Sequence, residues 1–308
     1  MRYFSSMRTG YALTGLLAGV VQALLGPAGA VEAAVHGNGV VLAPHRAVYE
    51  ISLDRSGSSS GIRELKGRMV YELAGSACEG YTQNMRFVTR TVGPKGRTSI
   101  ADMRSSTWEE GLGRRFRFNS SQYQDDKLIE RVSGDANRNR KGGARQVSIE
   151  LSKPKQRRLR LSSKIYFPVQ HSIALLQAAN AGKSLLQADL YDGTDKGDKV
   201  YATTTIIGPL LPQTADGKLP RVKNTQNLRG MKVWPVSISY FRKKRKNIKE
   251  DTTPIYELAF RFYANGVSRR LFIDYGDFAV RGVLTKLTYY PASGCGAGGK
   301  TPAAKIGK

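Results

Sequence analysis

Cysteine, histidine and acidic side chains are all scarce in this chain of 308 residues. There are two cysteines, Cys78 and Cys295, and three histidines, His36, His45 and His171. The chain contains no HExxH, no CxxC and no clustered His/Cys spacing, so neither a zinc site of the usual pattern nor a thioredoxin-type dithiol is expected. Beyond Ala30, no apolar run approaches the roughly 20 residues that a membrane-spanning helix needs. Asp and Glu number 24 against 49 Lys and Arg, a net charge of +25.

What is present begins with an export signal. Arg2 and Arg8 form a basic start, Tyr11 to Leu25 is apolar and uncharged, and Ala28-Gly29-Ala30 offers small residues for cleavage. A permanent anchor is the competing reading, but the apolar core is short and runs into Gly26-Pro27. The expected organisation is a signal peptide over 1–30, one domain over 31–295 and a basic, disordered tail over 296–308. The mature chain is expected to be exported from the cytoplasm. Removing Arg2 and Arg8 leaves 47 − 24 = +23 on the mature chain.

Export gives the cysteines a meaning. In an oxidising compartment two thiols ordinarily pair, and here the bridge would span 295 − 78 = 217 positions. Two reduced, buried thiols are the alternative. Export also redirects the charge. The basic runs Arg138 to Lys141, Lys153 to Arg160 and Arg242 to Lys249 would suggest nucleic acid in a cytosolic protein, but here they read as solvated loops. They suit an anionic membrane surface or acidic envelope polymers. No nucleic acid, cofactor or metal is expected.

Period-two alternation dominates the mature chain. Ala47, Tyr49, Ile51 and Leu53 share one strand face, followed by Met69-Tyr71-Leu73, Tyr81-Met85-Phe87 and Phe116-Phe118. Later faces are Trp234-Val236-Ile238-Tyr240, Leu258-Phe260-Phe262, Leu271-Ile273 and Val283-Thr285-Leu287-Tyr289. Between the last pairs, Asn265-Gly266 predicts a type I′ hairpin turn. The fold class is mainly β, a long antiparallel meander of about a dozen strands. One segment departs from it. Pro168 to Ala181 has helical spacing, with Val169, Ile173 and Leu176 on one side, Pro168 suited to the first turn and Gly182 to the stop.

Candidate chemistry is thin. Gly57-Ser58-Ser59-Ser60-Gly61 matches the hydrolase nucleophile pattern around Ser59, yet a second alternating strand follows instead of a helix. A catalytic base would have to be His45 or His171. Asp192, Asp195 and Asp198 could line a calcium loop, but no closing Glu follows and a hairpin connection explains them.

Several stretches resemble the EipB family of alphaproteobacterial periplasmic envelope-integrity proteins. They are Ala43-Pro44-His45-Arg46-Ala47-Val48-Tyr49; Phe167 to His171 running on to Tyr191-Asp192-Gly193; Val233-Trp234-Pro235 with Ser239-Tyr240-Phe241; and Asn265-Gly266-Val267 with Asp274-Tyr275-Gly276-Asp277-Phe278. The resemblance implies a spiralled, partly open barrel-like sheet with one helix, about 168–181, against its concave side. It also implies a disulfide carried by Cys78 and Cys295. The expected function is a noncatalytic platform for unidentified periplasmic or envelope proteins that keeps the envelope intact. A carrier of lipid or lipoprotein, its cavity lined by Val169, Ile173 and Leu176, is the alternative, and a periplasmic hydrolase a remote one.

Overall fold

The computed structural model describes residues 39–141, 144–212, 222–243 and 253–292. Fifteen strands and one α-helix organise them. The first arm comprises β1 (His45–Ser56), β2 (Glu64–Ser76), β3 (Gly80–Val92), β4 (Thr98–Glu109), β5 (Arg115–Gln124), β6 (Lys127–Lys141), β7 (Ala144–Lys153) and β8 (Arg157–Ser162). After β9 (Ile165–Tyr166) comes α1 (Pro168–Asn180). The second arm continues with β10 (Leu185–Leu190), β11 (Tyr201–Ile207), β12 (Val233–Arg242), β13 (Tyr256–Tyr263), β14 (Ser268–Asp274) and β15 (Phe278–Tyr289).

All fifteen strands form one sheet, in which β1 pairs with β2 on one side and β15 on the other. The order runs β8 to β1, then β15 back to β9, so β8 and β9 are the two edges of the sheet. Those edges are nevertheless close neighbours in the chain. Only Ser163 and Lys164 separate Ser162 from Ile165, and three residue steps span at most about 10 Å. The sheet must therefore curl until its ends meet. A nearly closed barrel follows from connectivity alone.

The helix lies inside the curl. No residue from Pro168 to Ala179 is exposed, and Val169, Leu175 and Leu176 join the same core cluster as Tyr49 of β1 and Tyr240 of β12. Gly182, with φ +69, ends it, its amide and that of Lys183 donating to Ala179 and Ala178 carbonyls.

A second apolar cluster closes the seam. Phe116 and Phe118 of β5, Phe167 before the helix and Tyr191 after β10 pack as one aromatic group, with ring centroids 5.0 Å (Phe116–Phe167), 5.5 Å (Phe116–Phe118) and 5.7 Å (Phe118–Tyr191) apart. Such pairs add about 0.5–1.5 kcal/mol each beyond their buried area. Arg115 and Arg117 point outward, as the alternation predicts. The β10–β11 connection lies across this cluster: Gly193 sits flat on the Phe118 ring, and Gly197 lies against Leu151 and Val132. An aromatic ladder completes the other arm, Tyr201–Tyr240–Tyr256–Tyr275–Phe278, with Tyr240 and Tyr256 stacked at 4.2 Å.

Three sequence expectations change. Asn265-Gly266 is not a type I′ turn: Gly266 has φ +82 but Asn265 does not take a positive φ, and its Oδ1 instead accepts the Val267 amide at 3.1 Å. The two-residue connection with both residues at positive φ is Asp125-Asp126 between β5 and β6. Along β15, Val283 is exposed while Leu284 is buried, because the register slips opposite Val48/Tyr49, where Lys286 and then Leu284 are paired and Thr285 is skipped. The basic runs are not merely loops: Arg138 to Lys141 end strand β6 and Arg242 ends β12, with 244–249 outside the described residues, and Lys153 to Arg160 runs into β8. Arg157, Arg158 and Arg160 are exposed on the edge strand β8, where charge opposes edge-to-edge aggregation.

Gly193 carries the tightest test of closure. It has φ +75, and a Cβ there would come within 2.4 Å of the Phe118 ring. Gly193→Ala should therefore destabilise the protein by about 1–3 kcal/mol, read from urea unfolding. A change within experimental error would show that the β10–β11 connection does not seal the barrel.

Candidate functional site

Two places hold polar groups that the alternation would have kept outside or apolar groups that it would have kept inside. The first is the seam. Along β4, Met103, Thr107 and Glu109 occupy the buried phase, so the Glu109 carboxylate is driven into the interior, where it is completely buried. Its oxygens accept the amides of Val169 at 2.7 Å and Gln170 at 3.0 Å, the first turn of α1. The helix has no side-chain cap of its own. A carboxyl group borrowed from the first arm thus caps the free amides at the start of the helix. Gln170 Nε2 adds a bond to the Gly111 carbonyl at 2.9 Å.

Arg138 follows the same rule on β6, where Val132, Gly134 and Ala136 precede it in the inward phase. Its Nε donates to the Gly113 carbonyl and its Nη1 to Ser163, both at 2.7 Å, and its Nη2 to Ile165 at 2.5 Å. The guanidinium lies 4.7 Å from the Phe167 ring centroid. One side chain thus binds both sides of the seam. Burial pushes Glu109 up to about 8, opposed by the two amides and by Arg138.

The second place is the helix C-terminal end of the barrel. A pocket of about 420 Å³ is lined by residues including Ala179, Lys183, Gly208, Leu210, Lys232 and Trp234. Leu185 of β10 and Ile206 of β11 are directly paired and 51% and 60% exposed, and Leu210 is 52% exposed. Gly208 is held against Pro235: its amide donates to the Pro235 carbonyl at 2.8 Å, and a Cβ would meet the Pro235 ring at 2.5 Å. The outcome is an apolar lip beside a recess with Lys183 and Lys232 on it.

Most of the residues singled out in the sequence fall elsewhere. Val169 and Leu176 are fully buried in the main core, and Ile173 packs against it. His171 Nε2 lies 3.3 Å from the Thr203 hydroxyl, which itself donates to the Ala188 carbonyl, so the ring is the donor. Burial lowers its pKa to about 4, leaving it neutral near pH 7. His45 Nδ1 lies 3.0 Å from the Ala43 carbonyl, its ring beside Tyr71 and Tyr289 at the β1–β15 seam. There too, Tyr290 bonds the Pro44 carbonyl, Arg46 pairs with Glu72 at 3.0 Å, Ala47 is buried and the Tyr49 hydroxyl donates to the Ser268 carbonyl. Trp234 lines the recess.

Ser59 is no nucleophile elbow. It lies between strands β1 and β2, and its hydroxyl donates to Asp277 at 3.0 Å. Gly57 bonds the Asp277 carbonyl, and Asp274 receives Arg55 and the Gly276 amide, so Asp274-Tyr275-Gly276-Asp277 is the β14–β15 turn that docks the Ser/Gly loop. Asp192 binds the Thr194 amide and hydroxyl, and Asp198 pairs with Arg157 and Lys199. No metal-binding cluster of three such groups occurs among the described residues. Cys78 lies in the β2–β3 turn and is not a free thiol; Cys295 lies outside the described residues.

Sequence reading missed Glu109 and the apolar lip, and it placed Arg138 in a solvated loop, whereas this residue lies on β6 with its guanidinium at the seam. Its available signal was an ionisable residue in the inward phase of an otherwise apolar strand. Because Glu109 is raised from 4.5 to about 8 in the folded protein, its contribution is fully present below the lower value and lost as pH rises through the higher. The stability advantage of the native protein over Glu109→Gln should shrink between pH 5 and pH 9, measured by urea unfolding at each pH. An advantage that grows with pH would reverse the assignment.

Comparison with known proteins adds relationship to this geometry. The family described as EipB-like matches residues 36–291. The cell envelope integrity protein EipB of Brucella abortus (strain 2308) is 41% identical over 267 residues, covering 86% of this chain and 89% of that protein. A crystal structure of a beta-barrel-like protein of the domain of unknown function DUF1849, from Brucella abortus, superposes with a TM-score of 0.70 at 38% identity, covering 82% of this chain and all of that one. The family match, the close relative and the shared barrel agree: the chain belongs to the EipB-like family.

Proposed function

We propose that the protein is a noncatalytic, periplasmic factor that maintains cell-envelope integrity, and that the helix end of its barrel is the platform on which an envelope protein docks. The relative in Brucella abortus carries the name of a cell envelope integrity protein. The observation that carries the platform is the lip itself: Leu185, Ile206 and Leu210 stand in water beside a recess of about 420 Å³ flanked by Lys183 and Lys232. The partner chemistry that fits is an acidic protein segment presenting an apolar side chain, and the chain's excess of basic residues favours its approach. The interior supports this reading over a carrier, because Val169, Ile173 and Leu176 are engaged in core packing.

The second element of the proposal is a bridge between Cys78 and Cys295, the two cysteines of the chain. It would tie the β2–β3 turn to the segment after β15 and restrict the unfolded chain, worth about 2–5 kcal/mol.

Complementation of a deletion strain tests both. A Leu185→Asp, Ile206→Asp, Leu210→Asp variant should accumulate normally and keep its unfolding midpoint, yet fail to restore resistance to detergent. Full restoration would remove the lip from the function. Cys295→Ser should lower the unfolding midpoint under oxidising conditions, and an unchanged midpoint would refute the bridge.

A further inference from the structure

The wall of the barrel is split between β14 and β15. These strands pair only from Leu271↔Gly282 to Asp274↔Ala279, although β15 runs on to Tyr289 and β14 starts at Ser268. Where they part, a pocket of about 440 Å³ opens, lined by Asp54, Arg269, Arg270, Leu271, Phe272, Arg281, Gly282, Val283 and Leu284. That volume lies within the roughly 300–1,000 Å³ of small-ligand pockets. Its lining contains three arginines and one aspartate, a local charge of 3 − 1 = +2.

The geometry of the charges is specific. Arg281 is paired with Asp54, so this guanidinium is fixed at the rim. Arg269 is buried and acts on the Tyr49 phenol, whose hydroxyl holds the Ser268 carbonyl. Arg270 is exposed and has φ +57, a left-handed conformation that costs an ordinary side chain about 1–3 kcal/mol. It falls where the β13–β14 register slips between Ala259 and Arg261, so the irregularity turns this one side chain out of the regular alternation beside the pocket. Leu271 and Leu284 form buried apolar walls, while Phe272 is half-buried and Val283 exposed.

We infer that this split is a binding site for an amphiphilic anion: a carboxylate or phosphate head on Arg270 and its neighbours, and an apolar tail between Leu271, Phe272, Val283 and Leu284. Planar guanidinium groups recognise such oxyanions through paired hydrogen bonds. The apolar walls supply what a free inorganic anion could not use. The inference is independent of the platform reading, since it involves none of the residues of the lip.

Calorimetric titration of the purified protein with dodecanoate, dodecanol and inorganic phosphate tests it. Dodecanoate should bind at one site per chain, with dodecanol and phosphate each weaker by about tenfold or more, the worth of one charge-assisted contact. Arg270→Gly should weaken dodecanoate by a similar factor while leaving the unfolding midpoint unchanged or raised, because glycine accepts the left-handed conformation freely. No dodecanoate binding would overturn the site. Equal binding of dodecanol, or an Arg270→Gly variant with unchanged affinity, would overturn the recognition of charge. Phosphate binding as tightly as dodecanoate would overturn the apolar subsite, marking a site for small anions alone.

Discussion

The seating of the helix against the seam depends on one buried carboxyl group. Glu109 leaves the first arm of the barrel and takes the first amides of a helix that belongs to the crossing between the arms. Without it, the helix would enter a dry interior with unsatisfied donors at its start, each costing about 1–3 kcal/mol. The helix in turn packs within the curl, its buried side chains sharing one core with strands of both arms. Arg138 completes the arrangement by gathering carbonyls from Gly113, Ser163 and Ile165 under the Phe167 ring. Helix cap, guanidinium and aromatic packing converge where the two sheet edges meet.

That convergence explains why the edges themselves are poor strands. β9 has two residues, and β8 carries three exposed arginines. Neither edge offers a long, apolar template for pairing with another molecule. The barrel is held instead by side chains across the seam, which leaves its apolar features for other purposes: a lip at the helix C-terminal end and a split in the wall between β14 and β15.

Much of this was legible in the sequence. Alternation located eight of the fifteen strands, β1 to β3, β5 and β12 to β15, and the switch from period two to helical spacing located α1 within a residue of its observed end. It did not locate β4 and β6 to β11, most of which carry too few alternating apolar residues to announce themselves. What escaped was decided by contacts between distant segments. The face of β15 depends on a register slip against β1, which the residues of β15 do not announce. Asn265 forgoes the expected turn because its side chain satisfies the Val267 amide. Tyr191-Asp192-Gly193 was recognisable as a stretch, but its reason, a glycine flat against Phe118 from another arm, exists only in three dimensions. Among the candidate sites, the histidines and Ser59 proved to have structural partners, His171 with Thr203, His45 with Ala43 and Ser59 with Asp277, whereas Glu109 went unmarked because an ionisable residue in a strand looks like an ordinary exception to alternation.

The central claim is that Glu109 and Arg138 act together as one closure rather than as two separate contacts. A double-mutant cycle with Glu109→Gln and Arg138→Met, read from urea unfolding at constant pH, measures that directly. The two residues should be coupled by about 1 kcal/mol or more, as expected for members of one network. Destabilisations that add to within about 0.3 kcal/mol would show independent contacts and contradict the account.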